Sequence, residues 1–187
     1  IRVLIRLLEF RRVLFRSENG VVAHIGTANP YCTALSNLVY QAVSASGSVE
    51  VHKGGTLITI EGPRFSTRAE SNLYRSWGMS IIGMTASPEA FLAREAEMCY
   101  STMAHVTDYD VWHSAEEPVS VEMVVKTLMQ NTAVAQKAIE HLVRVIDTER
   151  HCDCEDALAD AVITNPAVIS EENRQKYHLL LQKYLHQ

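Results

Sequence analysis

The sequence is poor in several features that would point to particular classes of protein. Cysteine is scarce, with only Cys32, Cys99, Cys152 and Cys154 among 187 residues. This is too few for a disulfide framework, and it suits a reducing, cytoplasmic setting. No apolar run approaches the roughly 20 residues of a membrane span, so no membrane partner is expected. Positive charge is not in surplus: the formal net charge is −5. A general nucleic-acid binder would need a basic face, so that class is set aside. There is no Gly-rich phosphate loop of the Walker or Rossmann kind, no nucleophile-elbow motif for a serine hydrolase, no internal repeat and no low-complexity tract. What remains is an ordinary globular composition, 47% apolar and 21% charged, in a chain long enough for one domain with its own core.

Residues 1–17 do not fit the rest. They carry Arg2, Arg6, Arg11, Arg12 and Arg16 with one acid and aliphatic residues almost throughout, and there is no initiator Met. An organelle-targeting peptide would be Ser-rich as well as Arg-rich. The segment reads as a foreign or misread extension, and 18–187 as the C-terminal portion of a single domain.

From Val21 onward the pattern alternates. Val21–Ile25 is a short apolar strand candidate. Leu35, Leu38, Val39, Ala42 and Val43 recur at helical spacing. Val49–His52 and Thr56–Ile60 flank Lys53-Gly54-Gly55, which reads as a hairpin. Gly62-Pro63 then ends the second strand, and Thr67-x-x-Glu70 is a capping box that opens a helix to about Trp77, with Gly78 as its stop. Ser80–Met84 is a strand, and Ser87-Pro88 supplies an N-cap and a proline at N1 for a helix to about Glu97. Cys99–Val106 is a further strand candidate. A polar loop, 107–117, precedes a long helix to about Ile146. The buried stripe expected on that helix runs through Val121, Val124, Val125, Leu128, Ala135, Ile139, Leu142, Val143 and Ile146. Asp156–Ile163 and Glu171–Leu185 read as two more helices. The alternation specifies an α/β fold with parallel or mixed pairing.

Three segments follow strand ends: Arg64-Phe65-Ser66, Met84-Thr85 and Thr107-Asp108-Tyr109-Asp110. Strand carboxyl ends line the ligand crevice of an open α/β sheet, so the three can converge on one pocket. Asp108 and Asp110, two apart, point the same way in an extended segment. Paired carboxylates resist joint ionisation, which lets one hold a proton to give to a departing nitrogen base. An Asp-x-Asp that merely caps loop amides is the competing reading. His151, Cys152 and Cys154 have ligand-like spacing, but no second pair follows and no metal site is expected. His105, in an apolar segment, reads as a core histidine.

The run Gly55-Thr56-Leu57-Ile58-Thr59-Ile60-Glu61-Gly62-Pro63-Arg64-Phe65-Ser66-Thr67-Arg68-Ala69-Glu70-Ser71 strongly resembles the trimeric branch of the purine nucleoside phosphorylase family. So do Ile82-Gly83-Met84-Thr85 with Pro88-Glu89, Ala93-Arg94-Glu95-Ala96, and Thr107-Asp108-Tyr109-Asp110. The likeness runs from about Val21 to the C-terminus. It implies the C-terminal part of that family's mixed-sheet fold, with helices on both faces. It also implies phosphorolysis of 5′-methylthioadenosine to adenine and 5-methylthioribose 1-phosphate, with no cofactor and inorganic phosphate as co-substrate, by a parent that is a homotrimer.

By the same resemblance Phe65 packs on the purine, Ser66 lies at its edge, and Asp108 serves N7 and N6 as the catalytic residue. Tyr109 and Asp110 complete that loop, with Asp110 supporting the amino-group contact. Met84 packs at the ribose, Thr85 donates to phosphate, and Val121 and Val124 line the methylthio pocket. Relatives acting on 6-oxopurines tend to carry Asn where this chain has Asp, so the pair favours adenine. Gly83 departs from the Asn that often precedes the Met-Thr pair. The family's Gly-rich phosphate loop and Arg-His phosphate pair are not in this sequence, so the 187-residue chain is expected to be inactive. The alternatives are a phosphorylase of another purine nucleoside, a hydrolase of the same nucleoside, and a non-catalytic purine-binding or oligomerisation module. A membrane or organelle role for residues 1–17 is a further reading.

Overall fold

The computed structural model describes residues 20–47, 49–113, 121–149 and 151–185. The foreign-extension reading of residues 1–17 therefore lies outside the described residues. Five α-helices lie among the described residues: α1 (Thr33–Ala45), α2 (Arg68–Ser76), α3 (Ala86–Glu95), α4 (Val121–Val145) and α5 (Glu171–Leu181). Two strands, β1 (Leu57–Thr59) and β2 (Ile81–Gly83), pair in parallel with Leu57 opposite Ile81 and Thr59 opposite Gly83. The α/β expectation holds, and β1–α2–β2 is its nucleus.

The chain forms two compact units. One holds the described parts of Ile1–Thr33 and His151–Gln187 together with Pro88–Tyr100; the other holds Ala34–Ser87 and Ser101–Arg150. In the first unit the core is Val21, Leu158, Ala161, Ile169, Tyr177, Leu181 and Leu185. The expected strand at Val21–Ile25 is reduced to a single antiparallel bridge, Ala23 with Val162. Its backbone is nonetheless tied down on both sides: His24 N–H donates to Ala161 O at 2.7 Å, and Val22 N–H to Thr164 Oγ1 at 2.8 Å. Ser170 caps α5 by accepting from the Asn173 amide. The helix expected over Asp156–Ile163 does not form. A 3₁₀ turn at Asp153–Asp156 forms instead, followed by turns that exchange bonds with the segment around Val22, the Ile163 amide donating to Val22 O at 2.9 Å.

In the second unit Ala42, Val43 and Ala138 are buried, with Val39, Val51, Met103, Val134 and Leu142 packed on them. The expected hairpin is absent because β1 spends its hydrogen bonds elsewhere. Ser80 N–H donates to Thr56 O at 2.8 Å, and Thr56 N–H donates to Ser80 Oγ at 3.1 Å. Gly55, at φ +113°, passes so close to Ser80 that a Cβ would stand 3.1 Å from its Oγ. The Lys53-Gly54-Gly55 turn thus delivers the chain to β2 instead of to Val49–His52.

Cys99–Val106 makes no strand either. Its bonds are isolated ones, such as Asn131 Nδ2 donating to Val106 O at 3.3 Å, and His105 is exposed, not a core residue. The stripe on α4 is also narrower than expected. Leu142 and Ala135 are half-buried, whereas Val125, Leu128, Ile139, Val143 and Ile146 are exposed among the described residues. Ala138, on the helix but not in the expected stripe, is its buried contact.

In the first unit, burial pushes the Glu95 carboxyl up to about 7. A carboxyl with a folded pKa above its unfolded value stabilises the fold most below the unfolded pKa. That contribution is lost as the pH rises from about 4.5 through about 7. Urea unfolding of the wild type should therefore show a falling midpoint over this window, and Glu95→Gln should flatten the profile. Parallel profiles for the two proteins would rule Glu95 out as the cause.

Candidate functional site

The second unit carries the candidate site, beginning where β1 and β2 end side by side. Ile60 N–H continues the ladder to Gly83 O at 2.9 Å, so Gly62–Ser66 and Met84-Thr85 leave the sheet at the same edge. A Cβ on Gly62 would lie 2.9 Å from Met84 Sδ. A side chain there would have to push the Met84 thioether aside. The Gly62-Pro63 peptide is cis.

The turn that follows is pinned from both directions. Thr67 caps α2, and Glu70 Oε2 accepts from Thr67 N–H at 2.7 Å while Thr67 Oγ1 accepts from Glu70 N–H. Glu70 also receives a two-pronged ion pair from Arg64, Nη1 to Oε2 at 2.8 Å and Nη2 to Oε1 at 2.6 Å. The Arg64 guanidinium, helped by the Thr67 amide and hydroxyl, holds the Glu70 carboxyl down at about 2. Such forked pairs fix geometry even where exposure keeps their energy small. Arg64 further donates to Phe65 O at 3.1 Å. Phe65 is thereby held by its backbone while the residue stays 81% exposed, an apolar platform on an ordered turn.

Ser66 is buried and donates from Oγ to both carboxylate oxygens of Asp110, at 3.3 and 3.2 Å. The Val111 amide donates to Asp110 Oδ1 at 2.8 Å. Asp108 is exposed and accepts from Thr107 Oγ1 at 2.7 Å. The two carboxylates are therefore served by different donors. The loop also stacks: Tyr109 lies on His113 at 4.8 Å between ring centroids, and the Arg75 guanidinium sits 3.5 Å over the Trp112 ring.

The three segments thus meet, Ser66 with Asp110 and Gly62 with Met84, although only the first two leave strands, and Thr85 is exposed at the end of β2. α4 runs through Val121 and Val124, but their side chains lie outside the described residues. Arg75, Trp112 and His113 escaped the sequence reading. Arg75 is a helix-end cation whose partner is 37 positions away, and nothing local marks it. Likewise His151 is exposed, and the cysteines beside it instead meet Cys32 and Cys99.

Residues 3–144 match the model of the phosphorylase superfamily. The chain belongs to that superfamily. It is 52% identical over 167 residues to the S-methyl-5′-thioadenosine phosphorylase of Geobacter sulfurreducens, covering 89% of this chain and 58% of that protein. It is 46% identical to the protein of the same name from Koribacter versatilis, over 88% of this chain and 56% of the relative. Among solved structures, a methylthioadenosine phosphorylase from an antarctic soil metagenomic library superposes with a TM-score of 0.80 at 39% identity, covering 88% of this chain and 58% of that one. The methylthioadenosine phosphorylase of Schistosoma mansoni in complex with adenine gives 0.68 at 29% identity, covering 79% and 59%. The chain therefore spans little more than half the length of these relatives. No helix among the described residues is long and apolar enough to cross a membrane.

Proposed function

We propose that this chain supplies the base and sugar half of an active site that cleaves 5′-methylthioadenosine with inorganic phosphate. The observation carrying this reading is the Ser66–Asp110 hydrogen bond. It sets carboxylate acceptors beside the exposed Phe65 ring, which is what recognition of a flat, amino-bearing base requires. Asp108 is the candidate proton donor to the departing adenine, and Tyr109 shares its loop. Met84, lodged against Gly62, faces the sugar. Val121 and Val124 are assigned to the methylthio group, and the parent enzyme is a homotrimer.

Thr85 is the one residue assigned to phosphate. A dianion needs several charge-assisted donors, and a single hydroxyl falls well short. The 187-residue chain alone is therefore expected to release no adenine. Joined behind the N-terminal segment of the Geobacter sulfurreducens relative, residues 21–187 should do so, with turnover that depends on phosphate or arsenate. Adenine release by that chimera without either anion would favour a hydrolase. Phosphate-dependent release by the isolated chain would overturn the half-site reading.

A further inference from the structure

The first unit contains a group of side chains that the phosphorylase reading does not use. The Sγ atoms of Cys32, Cys99, Cys152 and Cys154 all lie within 4.8 Å of one another, and Cys99 and Cys152 approach to 3.4 Å. None of the four is in a disulfide. We propose that these four sulfurs form a structural site for a single zinc-like, thiophilic divalent cation.

The geometry argues for a central ion. Tetrahedral thiolates about 2.3 Å from zinc stand about 3.8 Å from one another, so four mutually close sulfurs are the arrangement such an ion needs. Disulfides would instead account for the cysteines two at a time. The ligands come from three separate stretches, and the backbone holds each in place. Cys32 N–H donates to Tyr100 O at 2.8 Å, next to Cys99. Cys152 is the extended residue entering the Asp153–Asp156 turn, and that turn carries Cys154. Cys32 and Cys154 are buried and the other two half-buried, as in a closed structural site with no position left for substrate.

The surroundings suit thiolates. Four thiolates on a divalent ion leave two negative charges, and Arg94 Nη1 lies 3.8 Å from Cys154 Sγ. The buried Nε of Arg94 has no hydrogen-bond partner among the described residues. A cation contact of this kind stabilises metal-bound sulfur. In sequence the site is hidden because Cys152 and Cys154 stand two apart while Cys32 and Cys99 stand singly. No local motif joins the two halves.

The experiment is a metal titration of the intact 187-residue chain, purified under reducing conditions. One equivalent of zinc per chain should be retained through dialysis, with thiol protons released as it binds. Cobalt in its place should give an intense thiolate-to-cobalt charge-transfer band and tetrahedral visible bands. The double variant Cys152→Ser, Cys154→Ser should lose the equivalent of zinc, whether or not it folds as well as the parent. Well-substoichiometric zinc in the parent after exposure to an equimolar amount would overturn the site. So would octahedral cobalt spectra, or four thiols already consumed as disulfides in protein alkylated without reduction. None of these readouts depends on nucleoside cleavage, so the proposal stands or falls apart from the phosphorylase reading.

Discussion

Asp108→Asn, introduced into the phosphate-competent chimera, is expected to lower adenine release from 5′-methylthioadenosine by roughly two to four orders of magnitude, the range associated with loss of a general acid. The substitution keeps the shape of the side chain and one acceptor for the Thr107 hydroxyl, which now lies 2.7 Å from Asp108 Oδ2. Two things change. The group can no longer carry the proton that a leaving purine requires, and it presents an NH2 donor toward a base edge that already offers a donor at the amino group.

The loss should fall mainly on kcat, and the 6-oxo analogue of the substrate should gain relative to the 6-amino one. Asp110→Asn should behave differently. Ser66 and the Val111 amide both donate to Asp110, so it acts partly by setting the loop against the Phe65 turn. Its effect should be smaller and appear more in KM. If Asp108→Asn stays within a few-fold of the parent, the proton-donor assignment fails. If instead Asp110→Asn shows the larger kcat loss, the roles of the two residues are exchanged.

Leu158→Ala is the stability change with the largest expected effect, about 2–5 kcal/mol by the usual cost of truncating a buried leucine. Leu158 has no exposed surface, and Leu181 beside it is 1% exposed. The two meet the ring of Tyr177 and the side chains of Ile169 and Leu185 in one cluster. The Leu158 amide is also committed, donating to Glu97 Oε1 at 3.0 Å, and Tyr184 OH donates to the same oxygen. A cavity here has little freedom to collapse. Urea unfolding should show the loss as a lower midpoint at an unchanged slope. Ile163→Ala, at a position 64% exposed, should stay within about 0.5 kcal/mol of the parent. Equal losses at both sites would mean that this cluster is not the core of its unit.

The parts of this architecture that were readable from the sequence are those written in local chemistry. Thr67 and Glu70 form a capping box because both partners lie within one helical turn, and Gly78 ends α2 in the left-handed conformation for the same local reason. Ser87 breaks the helical geometry as an N-cap should, at φ −104° and ψ 130°. The meeting of the Phe65 and Met84 segments was also legible, since parallel strands place their carboxyl ends together; the Asp110 segment joins them without a strand before it, through Ser66.

Long-range choices were not legible. Thr56 could pair with Val51 across a glycine turn or with Ser80 after a helix, and the composition of the strand is the same in both cases. The buried stripe read on α4 was too wide for the same reason, because a run of valines and leucines records apolar character without recording what covers it. The meeting of Cys32 and Cys99 with Cys152 and Cys154 depends on three stretches arriving at one point. No spacing rule encodes that.

One consequence follows from the two ends of α2. Its first turn is bolted to Arg64 through Glu70, and its last turn reaches Trp112 through Arg75. A helix of nine residues is about 14 Å long, and nothing within it bends readily. It therefore ties together two loops more than forty residues apart, the Phe65 turn at its first turn and the Tyr109–Trp112–His113 stack at its last. The two loops are thus braced against each other at two points, through the helix and through the Ser66–Asp110 bond, so a change that displaces one should displace the other.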